Sequence, residues 1–255
     1  MSEKYHMKYW NGRGLMEVPR MLIALSDIHK EDYIDGRYST EEPINNILSY
    51  SSISQELSHN LGRMPILSIK NEEENINESI GQSIAINYYL ATKLGFMGDN
   101  LIEQSHILEL SEHLKEMKTA FNTLVPYGTE PTEENLHKWF NEGSDDLSPN
   151  PATMSTRKER YMKWWCNRIE YLLGEEYAIG SRLSLGDLLI YNTFAEYLKE
   201  EEGENIPQYR REPFTSLVKT NNVLNNCPKI KNICQKVADN EKIKEWLQNR
   251  GPQRF

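Results

Sequence analysis

The stretch from Leu61 to Leu90 constrains the fold of this chain more than any other. A polar loop reaches Met64-Pro65, where proline removes a backbone donor and marks the start of an extended run, Ile66–Lys70. The acidic turn Asn71–Asn77 follows, with Glu78-Ser79 read as turn chemistry beside a brief partner strand. Gln82-Ser83 then opens the apolar run Ile84-Ala85-Ile86-Asn87-Tyr88-Tyr89-Leu90, which predicts a helix to the neighbourhood of Lys93. The order is ββα.

The residues upstream supply a matching βαβ unit. Tyr5–Trp10 alternates and is rich in aromatics, which suits a first strand, and Asn11-Gly12-Arg13-Gly14 breaks it. Met16–Leu25 has helical spacing, with Pro19 tolerated in the opening turn, and Asp32–Tyr38 reads as a second strand. Strand, helix and strand in so short a span predict a parallel pair with a right-handed crossover. Ser39–Asn60 is a polar connection of the kind that contributes to ligand sites, and Gly95–Asn100 has no periodicity. Residues 1–94 therefore read as an α/β domain, βαβ–ββα.

From Leu101 the strand signals fade. Ile107, Leu110, Leu114, Met117, Phe121 and Leu124 fall at steps of three and four, one apolar stripe that suits either a domain core or a dimer contact. Tyr127–Thr156 is a polar insertion in which Leu136–Phe140 adds a helical turn. Arg157–Leu173 returns to helix with Trp164, Trp165, Ile169 and Leu172 facing inward. Ser184-Leu185-Gly186-Asp187 reads as a capping box, Ser184 accepting from the Asp187 amide and Asp187 from the Ser184 amide. Glu200–Asn222 is a second polar insertion, and helices near Ile230–Ala238 and Lys242–Leu247 close an all-α domain over residues 101–255.

Composition excludes several functions. A formal net charge of −9 opposes nucleic-acid phosphates and anionic lipid surfaces, and no basic cluster with interleaved aromatics offsets it. No apolar run approaches the roughly 20 residues of a membrane span. Met1-Ser2-Glu3-Lys4 lacks the basic-then-apolar pattern of a secretory signal, so a cytoplasmic location is expected. Cys166, Cys227 and Cys234 match neither a zinc pattern nor a Cys-x-x-Cys pair and read as packing residues of a reducing compartment. His106, Glu109, Glu112 and His113 share one helix, but two ligand types on one helix do not make a metal site.

Three motifs, in order, carry a resemblance. Tyr9-Trp10-Asn11-Gly12-Arg13-Gly14-Leu15, Gly62-Arg63-Met64-Pro65-Ile66-Leu67 and Gln82-Ser83-Ile84-Ala85-Ile86 resemble the cytosolic glutathione S-transferases of the mu and sigma classes, over nearly the whole chain. The resemblance implies a thioredoxin-like first domain, an all-helical second domain, glutathione as co-substrate without a metal, and a homodimer. It places the family's tyrosine on Tyr9. Glutathione's thiol, like cysteine with its reference pKa of about 8.5, is only a few per cent thiolate at pH 7. A donated hydrogen bond worth roughly 1.5–3 kcal/mol would lower that pKa by about one to two. Without the motif, Tyr9 is an ordinary strand aromatic.

The same resemblance implies a cis Pro65, with Met64 offering its backbone N–H and C=O to the tripeptide's cysteine. Gln82 and Ser83 at the helix start would take the γ-glutamyl carboxylate, although Ser83 equally suits a simple cap. Trp10 would contact the glycine end, or be a core indole; His59 and Arg63 are candidates for the donor that end needs. Glu116 falls where the family carries an aspartate reaching across a dimer, or sits on a solvated face. Leu15 follows the mu pattern, whereas sigma and alpha classes have a thiolate-supporting arginine there. Phe121 and Tyr127 are expected to line an electrophile pocket between the domains. The leading expectation is conjugation of glutathione to small hydrophobic electrophiles in a detoxification role. The alternatives are isomerisation of the prostaglandin D synthase type and a non-catalytic module like the lens crystallins of this fold.

Overall fold

The computed structural model describes residues 3–38, 57–126, 129–143, 160–194 and 217–250. Two compact units emerge: Met1–Phe96 together with Glu241–Phe255, and Met97–Asn240.

The first unit is built on a four-stranded mixed sheet in the order β2-β1-β3-β4. Strand β1 is Lys4–Trp10, helix α1 Glu17–Leu25, β2 Tyr33–Tyr38, β3 Ile66–Asn71, β4 Ile76–Gly81 and α2 Ser83–Lys93. Strand β1 runs parallel to β2 and antiparallel to β3, and β3 is antiparallel to β4, as βαβ followed by ββα requires. Met7, Met21, Leu22, Ile66, Leu67, Ile86 and Leu90 are fully buried. Each such side chain contributes roughly 1.5–3 kcal/mol of burial.

Glu78 and Ser79 correct the turn reading: both lie in β4, opposite Ile69 and Ser68, and the Ser68 and Ser79 hydroxyls are 3.1 Å apart. As an edge strand with solvent on one side, β4 tolerates a polar sequence. The turn is Glu72–Asn75, where the Asn71 side-chain oxygen accepts from the Glu73 and Glu74 amides at 3.1 and 3.2 Å.

The end of the chain departs from the expected domain division. Helix α9, Glu241–Asn249, packs on α1 rather than within the helical unit. Lys242 Nζ donates to the Leu25 and Ser26 carbonyls at 3.0 and 3.3 Å, satisfying the end of α1. At the other end of α1, Arg250 pairs with the buried Glu17 at 2.6 Å, and Trp246 Nε1 donates to the same oxygen at 3.3 Å.

The second unit contains α3 (Leu101–Leu124), α4 (Glu133–Asn141), α5 (Met162–Leu172), α6 (Leu185–Phe194), α7 (Leu217–Leu224) and α8 (Pro228–Asp239). Asn100 caps α3 by accepting from the Ile102 and Glu103 amides, both at 3.0 Å. The predicted stripe is buried from Ile107 to Phe121 as core of this unit, and Leu124 at its end is half-buried. On α5, Trp165 and Ile169 are buried as expected, but Leu172 is 42% exposed. Trp164 is only half-buried, with the Arg160 and Arg168 guanidinium groups 4.5 and 4.2 Å from its ring. Residues 217–222, read as insertion, belong to α7, and the expected helical turn Leu136–Phe140 is a full helix, α4, capped by Thr132.

The Ser184–Asp187 box forms with one change. The Asp187 carboxylate accepts from the Ser184 amide and hydroxyl, both at 2.8 Å, and from the Ala178 amide at 2.8 Å. The Ser184 hydroxyl is thus a donor to the carboxylate, and the Asp187 amide donates to the Ser184 backbone carbonyl at 3.1 Å rather than to its side chain. Among the described residues no helix is long and apolar enough to cross a membrane.

Candidate functional site at one end of the sheet

The strand register gathers the three motifs. Lys8 on β1 faces Ile66, and Ile66 faces Gly81, so the end of β1, the start of β3 and the end of β4 share one end of the sheet. Trp10 faces Tyr38 there, which brings the end of β2 to the same place.

Tyr9 is buried at that end, 7% exposed. Its hydroxyl oxygen accepts the Leu15 backbone N–H at 3.3 Å. Gly14 makes this approach possible: its φ is +38°, and a Cβ there would lie 2.6 Å from the Tyr9 hydroxyl oxygen. A glycine is the residue for a turn that needs both a left-handed backbone and no side chain. A phenol oxygen that accepts an amide proton becomes a stronger donor through its own O–H.

The turn is fastened from several sides. Its first amide, Asn11, donates to Tyr38 at 2.8 Å, and the Gly12 amide donates to Trp10 at 2.7 Å. Arg20, only 1% exposed, donates through Nη1 to the Gly12 carbonyl at 2.5 Å. Its Nε pairs with Asp35 at 3.0 Å, and Asp35 also holds Arg37 at 2.8 Å. Arg37 Nη1 donates to the Arg250 carbonyl at 3.0 Å.

The Met64–Pro65 peptide is cis, as expected. Before it, Leu61 and Gly62 have φ of 55° and 77°, and the buried Asn60 donates through Nδ2 to the Pro65 carbonyl at 3.1 Å. Met64 is half-buried against Leu57 and Ile66. Arg63 is exposed, its Nε 3.4 Å from the Asn60 carbonyl, and His59 is exposed as well. Gln82 has φ +66° and precedes α2 without a side-chain cap bond, which places Ser83 at the first helical position rather than at the cap. The start of α2 carries backbone amides suited to an anion.

Trp10 is half-buried and Leu15 is 52% exposed. Glu116 is exposed on α3, and Phe121 is fully enclosed, its ring 5.1 Å from that of Trp139 in an edge-to-face contact. Tyr127 lies outside the described residues. A cavity of about 270 Å³ in the second unit, lined by Phe140, Lys163, Asn167, Lys219 and Asn222 among others, touches none of the predicted site residues. No group of three or more potential metal ligands occurs among the described residues. Arg20, Asp35 and Asn60 escaped the sequence reading. Arg20 sits within an apolar helical run and Asp35 within a strand, and only the parallel crossover brings them together.

A thioredoxin-like unit of this order, with a cis-proline beside the first strand and a separate all-helical unit, is the fold of the glutathione S-transferases. The family described as "Glutathione S-transferase, C-terminal domain" matches residues 136–250. Glutathione S-transferase 3 of Caenorhabditis elegans is 25% identical over 98% of this chain and 99% of its own. S-crystallin 2 of Enteroctopus dofleini is 23% identical over 98% of this chain and 99% of its own. The crystal structure of monomeric Na-GST-3, a glutathione S-transferase from the hookworm Necator americanus, superposes with a TM-score of 0.66 at 20% identity, covering 99% of this chain and 100% of that one. The chain is thus similar over 98% of its length to a glutathione S-transferase and to an S-crystallin, and it has the glutathione S-transferase fold.

Proposed function

We propose that this chain is a glutathione transferase, with Tyr9 donating its hydroxyl proton to the glutathione sulfur and holding it as thiolate. The observation that carries the reading is the meeting of the Tyr9–Leu15 contact, the cis Met64–Pro65 peptide and the start of α2 at one end of the sheet. In this reading Met64 pairs its backbone with the cysteine of glutathione. Gln82 and Ser83 receive the γ-glutamyl carboxylate, and Trp10 and Arg63 serve the glycine end. The thiolate attacks an electrophilic carbon of a small hydrophobic substrate. A C–S bond forms while a leaving group departs with its electron pair, or while a proton completes an addition.

Glu116 contributes across a homodimer, Phe121 and Tyr127 belong to the electrophile side, and the protein acts in the cytoplasm in detoxification. The net charge of −9 makes the α2 start and Arg63 the local sources of attraction for an anionic tripeptide. The relatives named S-crystallins favour a second reading, a glutathione-transferase fold used as a non-catalytic module. An isomerase of the prostaglandin D synthase type would use the same thiolate.

Thiolate absorbance of bound glutathione, followed against pH in the wild type and in Tyr9→Phe, separates these readings. A bound-thiol pKa well below that of free glutathione, lost in Tyr9→Phe, supports the enzyme. Binding with an unshifted thiol supports the passive module, and no binding at millimolar glutathione removes the transferase and the isomerase together. Aryl halides, enones and endoperoxides then distinguish transfer from isomerisation.

A further inference from the structure

We infer that Arg20 and Asp35 are positioning residues for Tyr9: they hold the Asn11–Gly14 turn so that the Leu15 amide meets the tyrosine hydroxyl. The inference rests on the assignment of Tyr9 as the thiolate's donor, and the geometry that carries it lies entirely within the first unit. The Leu15 amide reaches Tyr9 because the backbone doubles back at Gly14, in a stretch where Asn11, Gly14 and Leu15 are exposed and the Asn11 and Gly12 amides bond the ends of β2 and β1. The fastening comes from beneath. Arg20 is 1% exposed and spans the gap between helix and turn, with Nη1 on the Gly12 carbonyl and Nε on Asp35.

A guanidinium is suited to this task because its donors lie in one rigid plane, so fixing Nε on a carboxylate also fixes the direction of Nη1. Asp35, on β2, supplies that fixed point. It is itself held by Arg37, whose Nη1 donates to the Arg250 carbonyl. Glu17 on α1 pairs with the Arg250 side chain, so α1, β2 and the end of α9 form one linked frame behind the turn. Arg20 meets the turn at the Gly12 carbonyl, and β2 also runs beside β1 with Arg37 opposite Tyr9.

Direct electrostatics and positioning predict opposite signs for one variant. Asp35→Asn removes a negative charge, which by Coulomb's law alone favours the Tyr9 phenolate and lowers its titration midpoint. If Asp35 acts by holding Arg20, the same change loosens the turn, weakens the Leu15 amide's donation to the phenol oxygen, and raises the midpoint. The test follows the tyrosine ring carbons by nuclear magnetic resonance in ¹³C-tyrosine-labelled, glutathione-free protein, with Tyr9→Phe identifying the resonance. Asp35→Asn is expected to raise the Tyr9 midpoint by about half a pH unit or more, and Asp35→Glu to restore it. Arg20→Lys, which keeps the charge and loses the fork, is expected to shift it in the same direction.

A midpoint that falls or stays fixed in Asp35→Asn overturns the inference, as does an Arg20→Lys protein that folds with an unchanged midpoint. The thiol pKa of bound glutathione is measured separately in the same variants. Wild-type protein that does not bind glutathione would end the transferase reading while leaving the Tyr9 titration to judge the coupling. Where the reading holds, the bound-thiol pKa rises in Asp35→Asn in step with Tyr9, and kcat falls more than KM rises.

Discussion

Leu15 donates its backbone N–H to the phenol oxygen of Tyr9 at 3.3 Å, across a turn in which Gly14 has a φ of +38°. The contact to the phenol is therefore made by a backbone group, and the exposed Leu15 side chain takes no part in it. In the proposed transferase reading, Tyr9→Phe removes the donor to the thiolate. With a charge-assisted bond worth roughly 1.5–3 kcal/mol, kcat/KM at pH 6.5 is expected to fall about 10–100-fold. Steady-state kinetics with an aryl halide check this; a loss below twofold would remove Tyr9 from the mechanism.

Gly14→Ala should be as damaging as the loss of the hydroxyl. The new Cβ would lie 2.6 Å from the Tyr9 oxygen, and a non-glycine residue at positive φ costs roughly 1–2 kcal/mol. The expected result is a lower thermal midpoint together with a raised bound-thiol pKa. A variant equal to wild type in both would show that the turn relaxes freely.

In the second unit, Asp187→Ala leaves the buried Ala178 and Ser184 amides without their acceptor. Each unmet buried donor costs roughly 1–3 kcal/mol, so chemical denaturation should show a loss of about 2–4 kcal/mol. Burial raises the Asp187 pKa while its hydrogen bonds lower it, and burial wins. The sign follows: a carboxyl whose pKa is raised on folding contributes most below its unfolded value near 3.9 and loses that contribution as pH rises through the folded one. Asp187 therefore adds nothing to acid lability.

Arg250→Met strips the buried Glu17 of its cation. Glu17 is 3% exposed, and breaking a buried pair by removing one partner costs roughly 3–5 kcal/mol in full burial. Arg250 is less enclosed, so about 2–3 kcal/mol is expected, with part of it recovered when Glu17→Gln is added. A double-mutant cycle in urea measures the recovery, and strict additivity would show the pair to be uncoupled.

Cys227 is buried, its thiol pushed up to about 12 by burial, and burial raises Cys166 and Cys234 as well. These groups stay protonated in the fold and ionise near 8.5 only when it opens, so they draw stability away as pH climbs above that value. A disulfide reagent at pH 8 should label all three only in denaturant. Rapid labelling of the native protein would contradict their burial.

How much of this was legible in the sequence differs between elements for physical reasons. Strands β1 and β3 announced themselves because burial forces alternation or apolar runs, whereas β4, at a sheet edge, needs no such pattern and was half lost. The three motifs pointed to Tyr9, Met64-Pro65 and the start of α2 without placing them together; the register does that. Arg20 was invisible as a brace because its partners, Gly12 and Asp35, lie on a loop and a strand that only the crossover brings near. The helix Glu241–Asn249 was legible as a helix, but its amphipathic face does not say which unit it covers. For Trp164 the period was right and the depth was not, since flanking guanidinium groups cover the indole as well as a core would.

The docking of α9 on α1 has a consequence for how the protein is made. The unit containing the candidate site begins at the first residues of the chain and is completed by residues after Glu241. During synthesis, chains emerge at roughly 5–20 residues per second and domains tend to fold as they appear. Here the helical unit can close while its predecessor still lacks a wall and Glu17 still lacks its cation. The unit that carries the candidate site, made largely before the helical unit, is completed after it.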